Sequence, residues 1–456
     1  MTDIPLPIGY TSLDDFPRLR ENLINCFNPN NKILPLPGLS LFASGFGLAR
    51  GQALFKELAY QVSGTRFIRI NEDGSVDNVG QIVGIGKVQM AKTFTELAIV
   101  NVQTGDGFVF DGSTLTAIAS TYVASVDVTT IDGRAVYVPA DGGPVFYSVT
   151  NDLGNIGGFF DAEVQPDRNI GVITYRGDLY VLGENSIEIF RSTGNDQFPF
   201  IRSSGAAIPT GYVAGKIKWA GTFAFLGRVT DDGYSFYAMG NGEGIPLSSP
   251  EIDEILEKYT LEELQTCVGQ TFLWKGYQVL QFTIDAIEDG QIDRTFSFVN
   301  DRWFFMESGI GGPNVNTAWR AKYITFAYGG HILGDRLNGN IGIFSENNLE
   351  YGQTIEREIL TFIRLARGSY FEVPSITIDT LVGTNSVEGT MGLQTSSDGF
   401  VYGPQMWRNL GNKGDYKRRI IFDGPGGLGN YENFCGIRLR VTEQVELAAD
   451  AIQIDE

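Results

Sequence analysis

Residues Ile170–Phe190 read IGVITYRGDLYVLGENSIEIF, and this rhythm decides the fold. Apolar residues alternate with others on both sides of Arg176-Gly177, as in two strands joined by a tight turn. Related units follow the same grammar: GFVFDGSTLTAI from Gly107, VTTIDGRAVYVPADGGPVFYSV from Val128, and KIKWAGTFAFLGRVTDDGYSFYAM from Lys216. TFLWKGYQVLQFTID from Thr271 pairs with RTFSFVNDRWFFM from Arg294, and YITFAYGGHILGDRLNGNIGIF begins at Tyr323. With a weaker unit between Leu54 and Val83, the chain holds about seven, spaced by roughly 40 to 50 residues. Each small meander needs neighbours to cover its apolar face, and a closed ring also removes exposed sheet edges.

The expected fold is therefore all-β: a distorted β-propeller of six or seven blades over residues 51–350, with a short helical insertion near 249–268. In SSPEIDEILEKYTLEELQT, Ser248 or Ser249 can cap a helix, Pro250 suits its first turn, and Ile252, Ile255, Leu256 and Tyr259 share one face. Thr260 with Glu263 reads as a capping box opening a second helix. The insertion reads as a packed excursion, with a partner-docking helix through Tyr259 and Leu261 as the sharper alternative. After Tyr351 longer strands such as YFEVPSITIDTLVG and GIRLRVTEQVEL predict a C-terminal β-sandwich over 351–456. Residues 1–50, with LPLPGLSLF, read as an extended arm or a strand contributed elsewhere.

Composition narrows the chemistry. The 456 residues carry 54 Asp and Glu against 34 Lys and Arg, a formal charge of −20, which disfavours a general clamp on nucleic-acid phosphates. His331 is the single histidine, so histidine-rich metal sites and histidine-activated nucleophiles are poorly provided for. Cys26, Cys267 and Cys435 are odd in number and far apart, with no CxxC spacing, which suits a reducing compartment. Neither a signal-peptide pattern nor a run of about 18 apolar residues occurs.

Several motifs imitate functional sites. GPGGLG sets Gly424, Gly426 and Gly429 in dinucleotide-loop spacing, but the following NYENFCGIRLRV is a strand pattern where the loop requires a helix. NEDGSVD, residues 71–77, lacks the later bidentate acid of a calcium loop and reads as a polar turn. Arg176-Gly177-Asp178 spells an adhesion tripeptide at a position that needs a hairpin turn. The acid pairs Asp14-Asp15, Asp231-Asp232 and Glu262-Glu263 could supply a glycosidase dyad, with solvated charge as the plainer reading. Lys417-Arg418-Arg419, near Arg408 and Lys413, locally reverses the acidic background and is a candidate assembly interface beside an ion-paired exposed edge. No catalytic, cofactor-binding or metal-binding residue is expected, and no cofactor.

Four blocks in order then resemble the packaged DNA stabilisation proteins that form the tail hub of short-tailed phages. They are ENLINCFNPNNKILPLPGL with ARGQALF, QPDRNIGVITYRGDLYVLGENSIEIFRSTG from Gln165, IDEILEKYTLEELQTCV from Ile252, and the ending with SSDGFVYG, YKRRIIF and GIRLRVTEQVEL. The resemblance implies a homohexameric hub without an active site, made in the host cytoplasm and built into the virion tail. Its partners would be the portal–adaptor assembly, a tail needle or plug, and tailspikes or fibres. It would seal packaged DNA in the head and form part of the ejection channel, where an acidic lumen lets DNA pass without specific binding. The alternative is a propeller-type carbohydrate-binding or glycosidase tail protein, since SSDGFVYG is similar to the aspartate-box turn of sialidases.

Overall fold

The computed structural model describes residues 2–3, 22–118, 122–162, 167–203, 207–229, 233–240, 242–288, 291–308, 317–365, 368–380, 389–411, 418–424, 427–447 and 452–455. Two-residue turns set the pattern of its sheets. Lys56-Glu57, Asp132-Gly133, Arg176-Gly177, Ala220-Gly221, Lys275-Gly276 and Tyr328-Gly329 all have positive φ and join the first two strands of six sheets. Such paired left-handed residues match the right-handed twist of the flanking strands. Gly177, at φ 83°, takes its conformation without the Cβ strain a larger residue meets.

Five four-stranded antiparallel sheets follow in chain order as blades 1 to 5, and blade 6 is the first four strands of a ten-stranded sheet. Their first strands are Ala49–Phe55, Val88–Lys92, Ser125–Ile131, Asn169–Tyr175, Gly211–Trp219 and Val268–Trp274. Blade 7 begins with Ala321–Ala327, Gly330–Asp335 and Asn340–Ser345, and its fourth strand is Gly38–Ser44 from near the N-terminus. The first strands neighbour one another all the way round, including Ala321–Ala327 against Ala49–Phe55, so the ring closes with seven blades. Blades 5 and 6 approach so closely that a Cβ on Gly269 would stand 1.9 Å from the Gly215 carbonyl oxygen.

Burial between blades holds the ring. Tyr60, Phe67, Ile99 and Phe110 pack between blades 1 and 2, and Ala43, Ala59, Ile70, Ile332 and Ile341 pack between blades 7 and 1. A fully buried side chain of this size contributes about 1.5–3 kcal/mol. Polar contacts cross the same seams. Tyr328 donates its hydroxyl to the Ile70 carbonyl at 2.7 Å and accepts from the Ala59 amide at 3.2 Å, tying blade 7 to blade 1.

The insertion after blade 5 forms two short helices, α1 (Pro250–Leu256) and α2 (Leu261–Gln265). Ile252, Ile255 and Leu256 are buried, as the helical spacing predicts. Ser249 occupies the N-cap without a side-chain capping bond, while Ser248 donates to Asp253 at 2.5 Å. The Thr260–Glu263 capping box is present in both directions.

The C-terminal sandwich grows directly out of blade 6. Asn22–Ile24 pairs parallel with the outer strand Arg302–Ser308 and antiparallel with Arg357–Arg364. Beyond it, Phe434–Val441, Thr390–Ser396 and Met406–Asn409 continue the same sheet. The facing sheet centres on Ser375–Thr380, flanked by Ile452–Asp455 and Arg418–Asp423. One apolar cluster runs from Phe27, Phe304 and Trp319 through Ile376, Leu439 and Ile454, so propeller and sandwich share a core.

At this junction Asn25 donates to the Glu356 carbonyl at 3.0 Å and accepts from the Glu307 amide at 2.9 Å. Burial pushes the Glu307 carboxyl up to about 7; Arg294 opposes that rise and Glu358 adds to it. Burial also raises Glu350 to about 7, against the pull of the Ser308 hydroxyl.

Two predictions follow from the seams. Ala43→Asp places a carboxylate among Ile332 and Ile341, and should cost about 3 kcal/mol or more. Hydrogen exchange should then quicken first in residues 340–345, and unchanged protection there would contradict ring closure by this strand. Glu307 has a raised folded pKa, so wild-type stability falls as pH rises from about 4.5 to about 7. Glu307→Gln should therefore raise the melting temperature at pH 8 and leave it unchanged near pH 4.5.

Candidate assembly surface and propeller channel

Two edge strands lie side by side on one flank of the sandwich: Met406–Asn409 ends one sheet and Arg418–Asp423 ends the other. Arg408 bridges them, donating from Nε to the Ile421 carbonyl at 3.0 Å and from Nη2 to Asp423 at 3.2 Å. Its guanidinium also sits 5.6 Å from the Phe422 ring centroid. Trp407 and Ile421 remain exposed beside it. Arg419 meets Asp379 at 3.1 Å with both side chains half exposed, an arrangement worth under about 1 kcal/mol. Arg418 and Arg419 thus stand exposed on an edge strand, while Lys417 and Lys413 lie outside the described residues.

The helical pair divides its two candidates. Tyr259 is buried in the core between blades 5 and 6 and donates to the Ile292 carbonyl at 2.5 Å. Leu261 is exposed on α2.

Glu262 is exposed, but Glu263 corrects the expectation of a solvated acid pair. Glu263 is fully covered, and its carboxylate accepts from the amides of Glu288 at 3.0 Å, Ile287 at 2.8 Å and Thr260 at 2.9 Å. These backbone donors hold it down to about 2. The donors at 287–288 lie a full hairpin downstream, so local sequence carried no signal of them. Asp14-Asp15 and Asp231-Asp232 lie outside the described residues.

The imitated motifs are turns. Asp178 accepts from Arg191 at 3.1 Å, and Asp77 accepts from Arg69 at 2.6 Å and from Asn71 at 2.9 Å. Gly427 donates to the Gly424 carbonyl at 3.0 Å and a strand, Gly429–Glu432, follows; Gly426 lies outside the described residues. Asp398 accepts from the amides of Phe400 and Val401 at 2.8 and 2.9 Å, which makes the SSDGFVYG segment a hairpin turn of the sandwich. His331 packs against Phe326 and Phe344, and burial lowers its pKa. The three cysteines are free and buried, and burial pushes each thiol up to about 12.

The ring encloses a channel whose larger chamber, about 530 Å³, takes lining residues from all seven blades. A second chamber of about 390 Å³ adjoins α2 and shares Lys87 and Tyr323 with the first. Ion pairs staple its wall. Lys216 reaches Asp127, whose carboxylate also accepts from the Val172 amide, so blades 3, 4 and 5 meet at one side chain. Asp285 accepts from Lys322 and Arg336, both at 2.7 Å. Burial alone would raise Asp285, but these two cations hold it below the usual carboxylate range. Arg50 links blades 1 and 2 by donating to the Gly86 and Ile82 carbonyls and to Asn101.

Comparison with known proteins names this architecture. A family model described as the β-propeller of bacteriophage P22 Gp10 matches residues 24–348, and one described as its β-sandwich matches residues 356–455. The chain belongs to the P22 Gp10 family. The tail hub protein gp10 of Salmonella phage P22 is 22% identical, over 94% of this chain and 92% of its own length. Solved structures are more distant. Virginiamycin B lyase from Staphylococcus aureus is 9% identical with a TM-score of 0.42, covering 65% of this chain and 94% of its own. The Neurospora crassa Pan2 WD40 domain is 8% identical with a TM-score of 0.38, covering 69% and 98% respectively.

In this Gp10-family chain, α2 contributes Glu262 and Gln265 to the lining of the second chamber, and a capping box opens the helix. Thr260→Ala should cost about 1 kcal/mol in denaturant unfolding. Glu263 has a depressed folded pKa, so its stabilisation is present above about pH 4.5 and is lost as pH falls toward about 2. Glu263→Gln should lower the melting temperature at pH 7, and the gap from wild type should narrow below about pH 4.5 and close only near pH 2.

Proposed function

We propose that this chain is a structural tail hub of a short-tailed phage, residing in the virion tail and carrying no active site. The observation that supports this reading best is the pair of family matches in order, with a tail hub relative aligned over nearly both full lengths. In the finer reading six copies form a ring. They join the portal–adaptor assembly to a needle or plug and to tailspikes, seal packaged DNA, and line part of the ejection path.

Physical features favour that role. Propeller and sandwich share a core and a continuous sheet, so force applied at one reaches the other without a flexible linker. Six chains of −20 each surround passing DNA with negative potential, which opposes adhesion of its phosphates. The rival glycosidase reading needs carboxylates free to act at the propeller channel. Asp127 and Asp285 are instead held by lysine and arginine. The exposed residues Arg418, Arg419 and Leu261 are the proposed assembly contacts, with Lys417 beside them in sequence.

Light scattering of the chain alone and with a purified portal–adaptor complex tests the proposal. A ring of six on that complex is expected, and a monomer that never joins it would overturn the hub. Arg418→Glu with Arg419→Glu should weaken joining by tenfold or more while the melting temperature stays within about 1–2 °C, because these are surface charges.

A further inference from the structure

The larger chamber of the channel reverses the charge of the molecule that contains it. Four lysines line it, Lys87, Lys92, Lys216 and Lys218, and among the described residues no Asp or Glu does. The chain as a whole carries 54 acidic residues against 34 basic ones. Lys216 has its counterion behind the wall in Asp127. Lys92 reaches a carbonyl, that of Leu54 at 2.5 Å, and Lys87 reaches that of Gln265 at 3.0 Å. For Lys218, among the described residues, no hydrogen bond or ion pair is formed. Burial lowers the pKa of both Lys87 and Lys218.

Lys216 lies in a bulge of the inner strand of blade 5, between Ala214 and Ile217, and Lys218 follows two residues later; both line the chamber. Lys87 immediately precedes the inner strand of blade 2, and Lys92 ends it. Like charges gathered from two blades repel one another unless something negative lies between them. A chamber of about 530 Å³ is far larger than one water requires, and it leaves room for a hydrated polyatomic anion. The nearby Gln89 adds a neutral side-chain amide of the kind that oxyanion oxygens accept from.

We infer that the propeller channel is a binding site for a small multivalent oxyanion of the phosphate class, held by Lys87, Lys216 and Lys218. Three ammonium donors around one anion give charge-assisted hydrogen bonds, stronger than neutral ones. Because the lysines come from blades 2 and 5, an anion between them ties together opposite parts of the ring. The site is a property of the single chain and does not depend on the tail-hub reading.

The test uses the full chain and inorganic pyrophosphate as the probe. Thermal unfolding in 5–10 mM pyrophosphate should shift upward by about 3 °C or more against sodium chloride of equal ionic strength. Calorimetry should give one site per chain, with affinity falling tenfold or more in Lys218→Gln and in Lys87→Gln. Thr130→Glu, which adds a carboxylate to the chamber lining, should weaken binding equally and provides a variant in which every lysine is retained. A crystal soaked in tungstate should show the anion between Lys87, Lys216 and Lys218. No shift beyond that of sodium chloride, or an undiminished affinity in all three variants, would overturn the site. Tungstate bound only elsewhere would overturn it too.

Discussion

The ring depends on one pairing: Gly38–Ser44 against Asn340–Ser345, two segments about three hundred residues apart. Without it blade 7 would end in an open edge, and Ala43 could not complete the apolar seam with Ile332, Ile341 and blade 1. The first and last thirds of the propeller are therefore mutually dependent, and the ring's cooperativity rests on a contact of high sequence separation. Such contacts carry a large loop-closure cost, so the blades between them are expected to assemble before the clasp locks.

The same short stretch also welds the second domain. Residues 22–24 insert between the outer strand of blade 6 and Arg357–Arg364, and Cys26–Phe27 turns back on Leu34–Pro35 beneath the shared core. Arg357 is buried there and donates to the Glu443 and Leu36 carbonyls, each at 3.2 Å. Burial lowers its pKa to about 10. A guanidinium that bonds carbonyls of two other segments fixes their positions relative to its own strand, because leaving it unsolvated and unbonded is costly. Propeller and sandwich are thus joined by a shared core and a continuous sheet.

What the sequence made legible was whatever neighbouring residues determine. Arg176-Gly177 and its counterparts announce left-handed turns, the alternation around them announces strands, and Thr260 with Glu263 announces a cap. All of these depend on residues a few positions apart. The role of residues 38–44 was not legible, because GLSLFAS is an ordinary strand pattern whose partner lies across the whole propeller. Glu263 misled for the same reason: its amide donors at Ile287 and Glu288 come from beyond the next hairpin. Lys417-Arg418-Arg419 stood out as a cluster in sequence, whereas Lys87, Lys92, Lys216 and Lys218 are a cluster only in space.

These two placements of basic charge answer different physical demands. A charge on the sandwich edge is screened beyond about 8–10 Å at physiological salt, so Arg418 and Arg419 act only on a partner in direct contact. A charge that the channel wall largely covers, as it does Lys216, acts in a lower dielectric, so its field is stronger. Asp127 and Asp285 neutralise part of that field where three or more elements of the wall converge, and both sit where blades must be held in register. The acids in the channel wall are thus committed to the ring's own integrity, and the charge left over in the chamber is positive.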